Sequence, residues 1–259
     1  MKMEKINTNL PDMICMRITR NCNARCDFCL APPQGINPSL EELKYRINYL
    51  LNLGIKTIHF CGGEPTLHIG LRELLIYTHS MGGKCKLTTN GICIPLDLPK
   101  ILFHTKTEIK VSVHGNKELH NQLTGTDSYE KVIENLQYLV NSGVGVSIQT
   151  TLIRGGELIV DEMAKFCIKE RIRRLSFIPF LTRGKGKMHH ETFSFLKGEK
   201  RAIREHIKRV RRLYSGRVDI RWLDFSLVPF YVVDTDGSLI IEHGTEEMDE
   251  KLFTIKIEN

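Results

Sequence analysis

Three cysteines, Cys22, Cys26 and Cys29, share one short stretch, with three and then two residues between them. Thiols so spaced fall close together with little backbone strain. As thiolates they are a soft ligand set that suits an iron–sulfur cluster or zinc. A closed zinc site takes four protein ligands, and no fourth is evident here. A [4Fe–4S] cluster on three thiolates keeps one iron open for a further ligand. Other chemistry-bearing residues recur where apolar stretches end: Gly62-Gly63-Glu64-Pro65, Thr88-Thr89-Asn90-Gly91, Ser112 with His114, then Gln149, Arg154 and Leu181. Glycines at 62 and 63 allow close backbone approach to a ligand. Ser112 serves equally well as a turn hydroxyl, and His114 as an ordinary loop histidine.

The elements that must position these residues alternate. Short apolar runs at 14–19, 55–60, 84–88, 108–113, 144–152 and 174–180 read as strands. Between them lie helical patterns. The first begins at Ser39, a candidate N-cap followed by Glu41 and Glu42, shows an apolar face of Leu43, Ile47, Leu50 and Leu51, and ends at Gly54. Further helices are expected at 69–81, 98–103, 128–142 and 160–169. Six strands alternating with helices predict an α/β fold with a parallel sheet. Sites on such sheets lie at the carboxyl ends of the strands, where every stretch named above falls.

The loop Cys22-Asn23-Ala24-Arg25-Cys26-Asp27-Phe28-Cys29, with an aromatic before its last cysteine, resembles the cluster loop of the radical S-adenosylmethionine (SAM) superfamily. Gly62-Gly63-Glu64-Pro65 resembles that superfamily's GGEP motif. The resemblance implies a partial (β/α)6 TIM-like barrel over about 14–182. It implies a [4Fe–4S] cluster on Cys22, Cys26 and Cys29 whose open iron is chelated by SAM. Reductive cleavage would give methionine and a 5′-deoxyadenosyl radical that removes hydrogen from a substrate. Carried over position by position, the cofactor-facing residues are Phe28, Gly62, Gly63, Glu64, Pro65, Thr88, Asn90, Ser112, His114, Gln149, Arg154 and Leu181. Within that set the GGEP segment meets the SAM amino group, Glu64 holds a strand end, Ser112 meets the ribose and Leu181 the adenine. Gln149 and Arg154 flank the fifth strand's end.

Phe60-Cys61-Gly62-Gly63-Glu64-Pro65, Thr88-Thr89-Asn90-Gly91 and Leu123-Thr124-Gly125 are similar to the class that makes the molybdenum-cofactor precursor from GTP. The chain departs from that class in three ways. No cysteine follows Cys167 to hold a second cluster, His59 replaces a GTP-contacting arginine, and Ser147 replaces a lysine on the fifth strand. GTP cyclisation is therefore not expected. The leading expectation is a radical SAM enzyme acting on a small molecule, nucleotide- or sugar-derived, in a biosynthetic pathway. The alternatives are modification of a peptide or RNA, and a non-enzymatic zinc- or cluster-binding regulator of nucleic acid.

The chain has 259 residues, 41% hydrophobic, and a formal net charge of +7. That suffices for an ordinary core and gives no sign of disorder. No apolar run spans a membrane, and residues 1–10 lack the apolar core of a signal peptide, so a cytoplasmic location is expected. Clustered rather than paired cysteines suit a reduced compartment. Cys15, Cys61, Cys85, Cys93 and Cys167 read as small core residues.

Residues 1–182 are expected to form the core and 183–259 an extension without an auxiliary cluster. The extension comprises a basic, glycine-rich loop at 183–187, a helix at 198–214 with Ile203, Ile207 and Val210 inside, a strand at 218–222, a hairpin about Asp234-Thr235-Asp236-Gly237 that would cap the barrel, and a last strand at 252–257. Glu242 and His243 stand where a relative would place a ligand cysteine. The basic helix is either a solvated face or a dock for an acidic electron donor, flavodoxin or ferredoxin. The single Trp222 and scattered aromatics make no stacking platform for nucleic acid.

Overall fold

Along each strand successive side chains face opposite sides of the sheet, and this period of two decides what faces where. The computed structural model describes residues 10–34 and 37–257. Most of the stretch read for a targeting signal, and Gly35, lie outside the described residues. The elements follow in the order β1 (Met13–Arg17), α1 (Leu40–Asn52), β2 (Thr57–Cys61), α2 (Leu71–Ser80), β3 (Lys84–Thr89), α3 (Leu98–His104), β4 (Glu108–Ser112), α4 (Lys117–Thr124) and α5 (Tyr129–Asn141). Then come β5 (Val146–Leu152), α6 (Glu157–Lys169), β6 (Arg174–Pro179), α7 (His190–Phe193), α8 (Glu199–Leu213), β7 (Asp219–Trp222), β8 (Phe230–Val233), β9 (Ser238–Glu242) and β10 (Glu250–Thr254).

All ten strands belong to one sheet, ordered β10-β9-β8-β1-β2-β3-β4-β5-β6-β7. The run from β8 to β7 is parallel throughout. Ile14, Met16, Ile58, Phe60, Leu87, Ile109, Val111, Ile148, Leu175 and Phe177 are buried in the layer shared with the helices. Leu43, Ile47 and Leu50 of α1 and Val132, Leu136 and Leu139 of α5 answer them. Burying such a side chain contributes about 1.5–3 kcal/mol, so this layer is the main source of stability. The alternate residues of the strands face a cavity.

Local signals hold where expected. Ser39 and Glu42 form a reciprocal cap, Glu42 N–H donating to Ser39 Oγ at 3.2 Å and Ser39 N–H to Glu42 Oε2 at 2.8 Å. The helix expected from 69 begins at Leu71, because the Gly70 N–H is taken by the His68 ring at 3.0 Å. Residues 117–124, noted only for Leu123-Thr124-Gly125, form α4, capped by the Asn116 side chain.

The six expected strands are flanked by two more parallel ones. After β6, α8 packs on α6 and returns the chain as β7 beside β6, a further β-α-β step. The hairpin does not cap the barrel. β8 pairs with β1, Cys15 opposite Val232, and β9 and β10 extend the sheet antiparallel beyond it. The basic loop at 183–187 falls largely in a 3-10 turn, Gly184–His189. Among the described residues, no helix is long and apolar enough to cross a membrane.

Candidate active site

The cysteine loop leaves the carboxyl end of β1 and is held from four sides. Gly63 N–H donates to Thr19 O and Glu64 N–H to Asn21 O, both at 2.7 Å. A Cβ on Gly63 would lie 2.2 Å from Asn21 O, and one on Gly62, at φ +148, would lie 2.3 Å from Thr19 O. These glycines are therefore required by the approach of one chain segment to another. Opposite them, Arg25 N–H donates to Thr124 O at 2.8 Å and Asp27 N–H to Leu123 O at 3.1 Å. From β3, Asn90 Nδ2 donates to Asn23 Oδ1 at 2.7 Å and lies 3.9 Å from Cys22 Sγ. From the 3-10 turn, Lys185 N–H donates to Cys29 O at 2.9 Å, while its Nζ reaches Asp27 at 2.7 Å and Arg25 O at 2.8 Å.

Cys22, Cys26 and Cys29 line one cavity of about 740 Å³ together with Phe28, Gly62, Gly63, Glu64, Thr88, Asn90, Ser112, His114, Gln149 and Leu181. A void of this size holds a ligand of drug size or somewhat larger. Burial, then the neighbouring Cys29 and Cys22, push the Cys26 thiol up to about 12. Burial also raises Cys22 and Cys29. Three thiolates so crowded need a cationic core among them, which is what iron supplies. Among the described residues no three His, Cys, Asp or Glu side chains converge on a single metal ion. Three thiolates on one cavity wall are the donor set that would hold a [4Fe–4S] cluster.

Glu64 is 1% exposed and accepts four hydrogen bonds: Thr66 N–H at 3.0 Å, Thr66 Oγ1 at 2.6 Å, Thr89 Oγ1 at 2.6 Å and Asn90 N–H at 2.7 Å. Burial pushes its carboxyl upward against the pull of these donors. Its work is to tie the end of β2 to the end of β3. Pro65 opens a 3-10 turn, Pro65–Leu67, and lies behind Glu64, off the cavity wall. Thr88 is bonded to His59 Nε2 at 2.7 Å. Ser112 and Gln149 stand opposite each other on β4 and β5. Neither side chain has a protein hydrogen bond among the described residues, so hydroxyl and amide are free to meet a ligand.

His114 is buried. Its Nδ1 accepts from Thr151 N–H at 3.1 Å, its ring stacks on His120 and lies edge-on to Phe28 at 4.7 Å. Burial, then His120, hold it neutral, with its pKa down at about 3. That leaves Nε2 as the protonated nitrogen. Arg154 departs from expectation. β5 ends at Leu152, and the turn that follows carries Arg154 to the surface, where its Nε donates to Ser194 O at 2.9 Å and it stands outside the cavity wall.

Other residues face the cavity that composition alone assigned to the core or left unremarked. Cys15 and Cys61 line it. Cys15 Sγ lies 3.7 Å from His59 Nδ1, and the neighbouring Cys61 draws its thiol below the ordinary range. Arg17, Lys86, Lys110, Arg174, Lys185 and Arg221 line it as well. Arg17 is 5% exposed and bonds both oxygens of Glu242, at 2.6 and 2.7 Å. Burial alone would lower its guanidinium, but the facing carboxylate more than offsets this. Arg20 pairs with Asp234, and Arg183 with Asp249 at 2.8 Å and Glu242 at 3.3 Å. Glu242 thus fills the expected cysteine position with a counter-charge. The signal for those on strands was period two: Cys15 and Arg17 alternate with Ile14 and Met16, and Lys110 and Ser112 with Ile109 and Val111.

An open parallel barrel with three thiols at its carboxyl-terminal mouth, facing a glycine-rich strand end, defines a class. Residues 16–167 match the family model of the Radical SAM superfamily, and the chain belongs to that superfamily, whose members are enzymes that use a [4Fe–4S] cluster and SAM. Among curated proteins it is 27% identical over 210 residues to Fe-coproporphyrin III synthase of Methanosarcina barkeri, covering 78% of this chain and 52% of that one. It is 26% identical to a probable GTP 3′,8-cyclase of Sulfurisphaera tokodaii, covering 74% and 64%. The chain thus spans less than two thirds of either relative. Among solved structures, anSMEcpe with bound AdoMet superposes with a TM-score of 0.77 at 20% identity, covering 94% of this chain and 78% of that one. SuiB of Streptococcus suis bound to its precursor peptide SuiA does so with 0.77 at 17%, covering 88% and 58%. At these identities the likeness is one of fold.

Proposed function

We propose that the chain is a radical SAM enzyme that removes a hydrogen atom from a small-molecule substrate. The observation that carries this reading is the convergence of Cys22, Cys26 and Cys29, the Gly62–Gly63 segment and the free side chains of Ser112 and Gln149 on one cavity. A [4Fe–4S] cluster held by the three cysteines would supply the electron that cleaves SAM to methionine and a 5′-deoxyadenosyl radical. The protein's own residues do the rest. The backbone at 62–64 fixes the loop and offers peptide groups to the methionine end. Ser112 and Gln149, one strand apart, meet the ribose and its surroundings. Phe28 and Leu181 give apolar cover, and the buried neutral His114 offers one N–H donor without adding charge. This lining keeps water from the reacting carbon.

By their names, one relative makes Fe-coproporphyrin III and another cyclises GTP, both small molecules, which supports a small-molecule substrate here. Segment 183–259 is assigned as an extension in role rather than in architecture, since its strands continue the sheet of the core. Arg201, Arg204, Lys208, Arg211 and Arg212 on the outer face of α8 support an acidic donor, flavodoxin or ferredoxin. The test is anaerobic loading with iron and sulfide, then dithionite and SAM. Formation of 5′-deoxyadenosine is expected, and its absence with an intact cluster sinks the reading. Deuterium transfer from labelled candidates into 5′-deoxyadenosine then separates a small-molecule substrate from a peptide or RNA.

A further inference from the structure

The cavity continues past the SAM-facing level toward the amino ends of the strands. Lys86 on β3, Lys110 on β4, Arg174 on β6 and Arg221 on β7 all line it there, where the cavity opens to solvent: Lys110 is half-buried and the other three side chains are 37–46% exposed. Lys110 lies one inward-facing position before Ser112, about 7 Å deeper along the strand. Two carboxylates attend this group. Glu108 meets Lys86 at 3.4 Å and Arg174 at 3.2 Å, and Asp219 meets Arg221 at 2.6 Å and Arg174 at 3.6 Å. Four cations against two carboxylates leave a surplus of two positive charges. Lys110 has neither an ion pair nor a hydrogen bond among the described residues. Burial disfavours its charge, Cys15 offsets part of this, and Lys86, Arg174 and Arg221 disfavour it further. An apolar side chain would serve the fold better at this position, so the ammonium points to a ligand.

The opposite wall is different. Leu223, Phe225, Phe230 and Val232 face the same cavity, with the rings of Phe225 and Phe230 4.8 Å apart. Charge on one side and aromatic surface on the other describe the occupant.

We propose that the deep end of the cavity is an anion seat, in which Lys110 and its neighbours Lys86, Arg174 and Arg221 bind a dianionic group, a phosphate or paired carboxylates, of a small organic molecule whose apolar body lies along Phe225 and Phe230. The seat rests on the radical SAM reading only in making this molecule the substrate. Anchored there, the molecule presents its far end to the SAM-facing level, so the anion selects the substrate and the barrel's depth selects the carbon.

The test is calorimetric titration of the cluster-loaded wild-type protein with phenyl phosphate, phthalate and, as a neutral probe, phenol. Binding of phenyl phosphate or phthalate, and not of phenol, is expected. Preference between the two anions tells phosphate from carboxylate. Lys110→Met should weaken that binding about tenfold or more, the loss of a charge-assisted contact. Lys110→Arg should retain it, and Lys131→Met, on the exposed face of α5, should leave it unchanged. Arg221→Gln, at the exposed rim, gives a second reading should Lys110→Met fold poorly, and it should weaken binding in the same direction. Wild-type protein that binds neither anion, binds phenol equally well, or loses nothing in either variant overturns the seat. Because the titration reads binding without turnover, anion binding in a protein that never cleaves SAM sinks only the activity. SAM cleavage without anion binding sinks only the seat.

Discussion

The two ends of the cavity treat charge in opposite ways. At the mouth each buried or half-buried ion is answered: Arg17 by Glu242, Arg20 by Asp234, Arg183 by Asp249, Lys185 by Asp27, and Glu64 by four donors. At the deep end Lys110 makes no ion pair and no side-chain hydrogen bond among the described residues, and only Cys15 draws on its charge. Buried pairs fix geometry, and a half-buried ion without a salt-bridge partner is stability given up for binding. The mouth is thus a rigid frame for a cofactor, and the deep end a recess shaped for something that arrives.

Substitutions can break or sharpen this contrast. The largest effect is expected from Cys26→Ser, which removes one of three ligands. The visible absorption of the loaded cluster and all 5′-deoxyadenosine should be lost. Next is Glu242→Ala, which takes the bidentate partner from buried Arg17 and leaves it only Asp234 at 3.2 Å; it should lower the unfolding free energy by about 3 kcal/mol in a urea titration. Should stability hold, the mouth is not the frame described.

A smaller effect concerns acid. Burial lowers His114 to about 3 and His120 to about 4, whereas an unfolded histidine titrates near 6.5. Between those values the unfolded chain binds protons that the folded chain refuses. Stability is therefore full above about pH 6.5 and lost as pH falls through this window. His114→Asn should remove about 3 kcal/mol of the acid sensitivity between pH 7 and pH 4. An unchanged pH slope in the variant counts against a neutral His114. At the deep end Lys110→Met should raise the unfolding free energy, by about 1 kcal/mol, the opposite sign to any charge removed at the mouth. Smallest of all is Arg154→Ala. Lying outside the cavity, it should alter neither SAM binding nor, beyond about 0.5 kcal/mol, stability.

Much of this was legible in the residues. Ser39 and Glu42 announced α1, Asp236-Gly237 announced the hairpin turn, and the three cysteines with Gly62-Gly63 announced the mouth. Local signals suffice where a turn or cap is local. Arg17 could not be read as half of a buried pair, since Glu242 lies 225 residues away and neither end specifies the other. Cys15 and Cys61 look like core thiols because the strands of a buried parallel sheet carry apolar residues on both faces. Polar residues at every second position, as in Glu108, Lys110 and Ser112, betray a lumen. Arg154 escapes the pattern because it lies in the turn beyond Leu152, where the period of two that places strand side chains no longer applies.

The pair formed by Arg17 and Glu242 also imposes an order of events. The cysteine loop begins five residues after Arg17 and is synthesised well before Glu242, which lies 225 residues beyond Arg17. A nascent chain therefore exposes three thiols well before it owns the frame that spaces them. Metal delivery must follow synthesis, or the loop must be shielded from stray oxidation until residue 242 arrives.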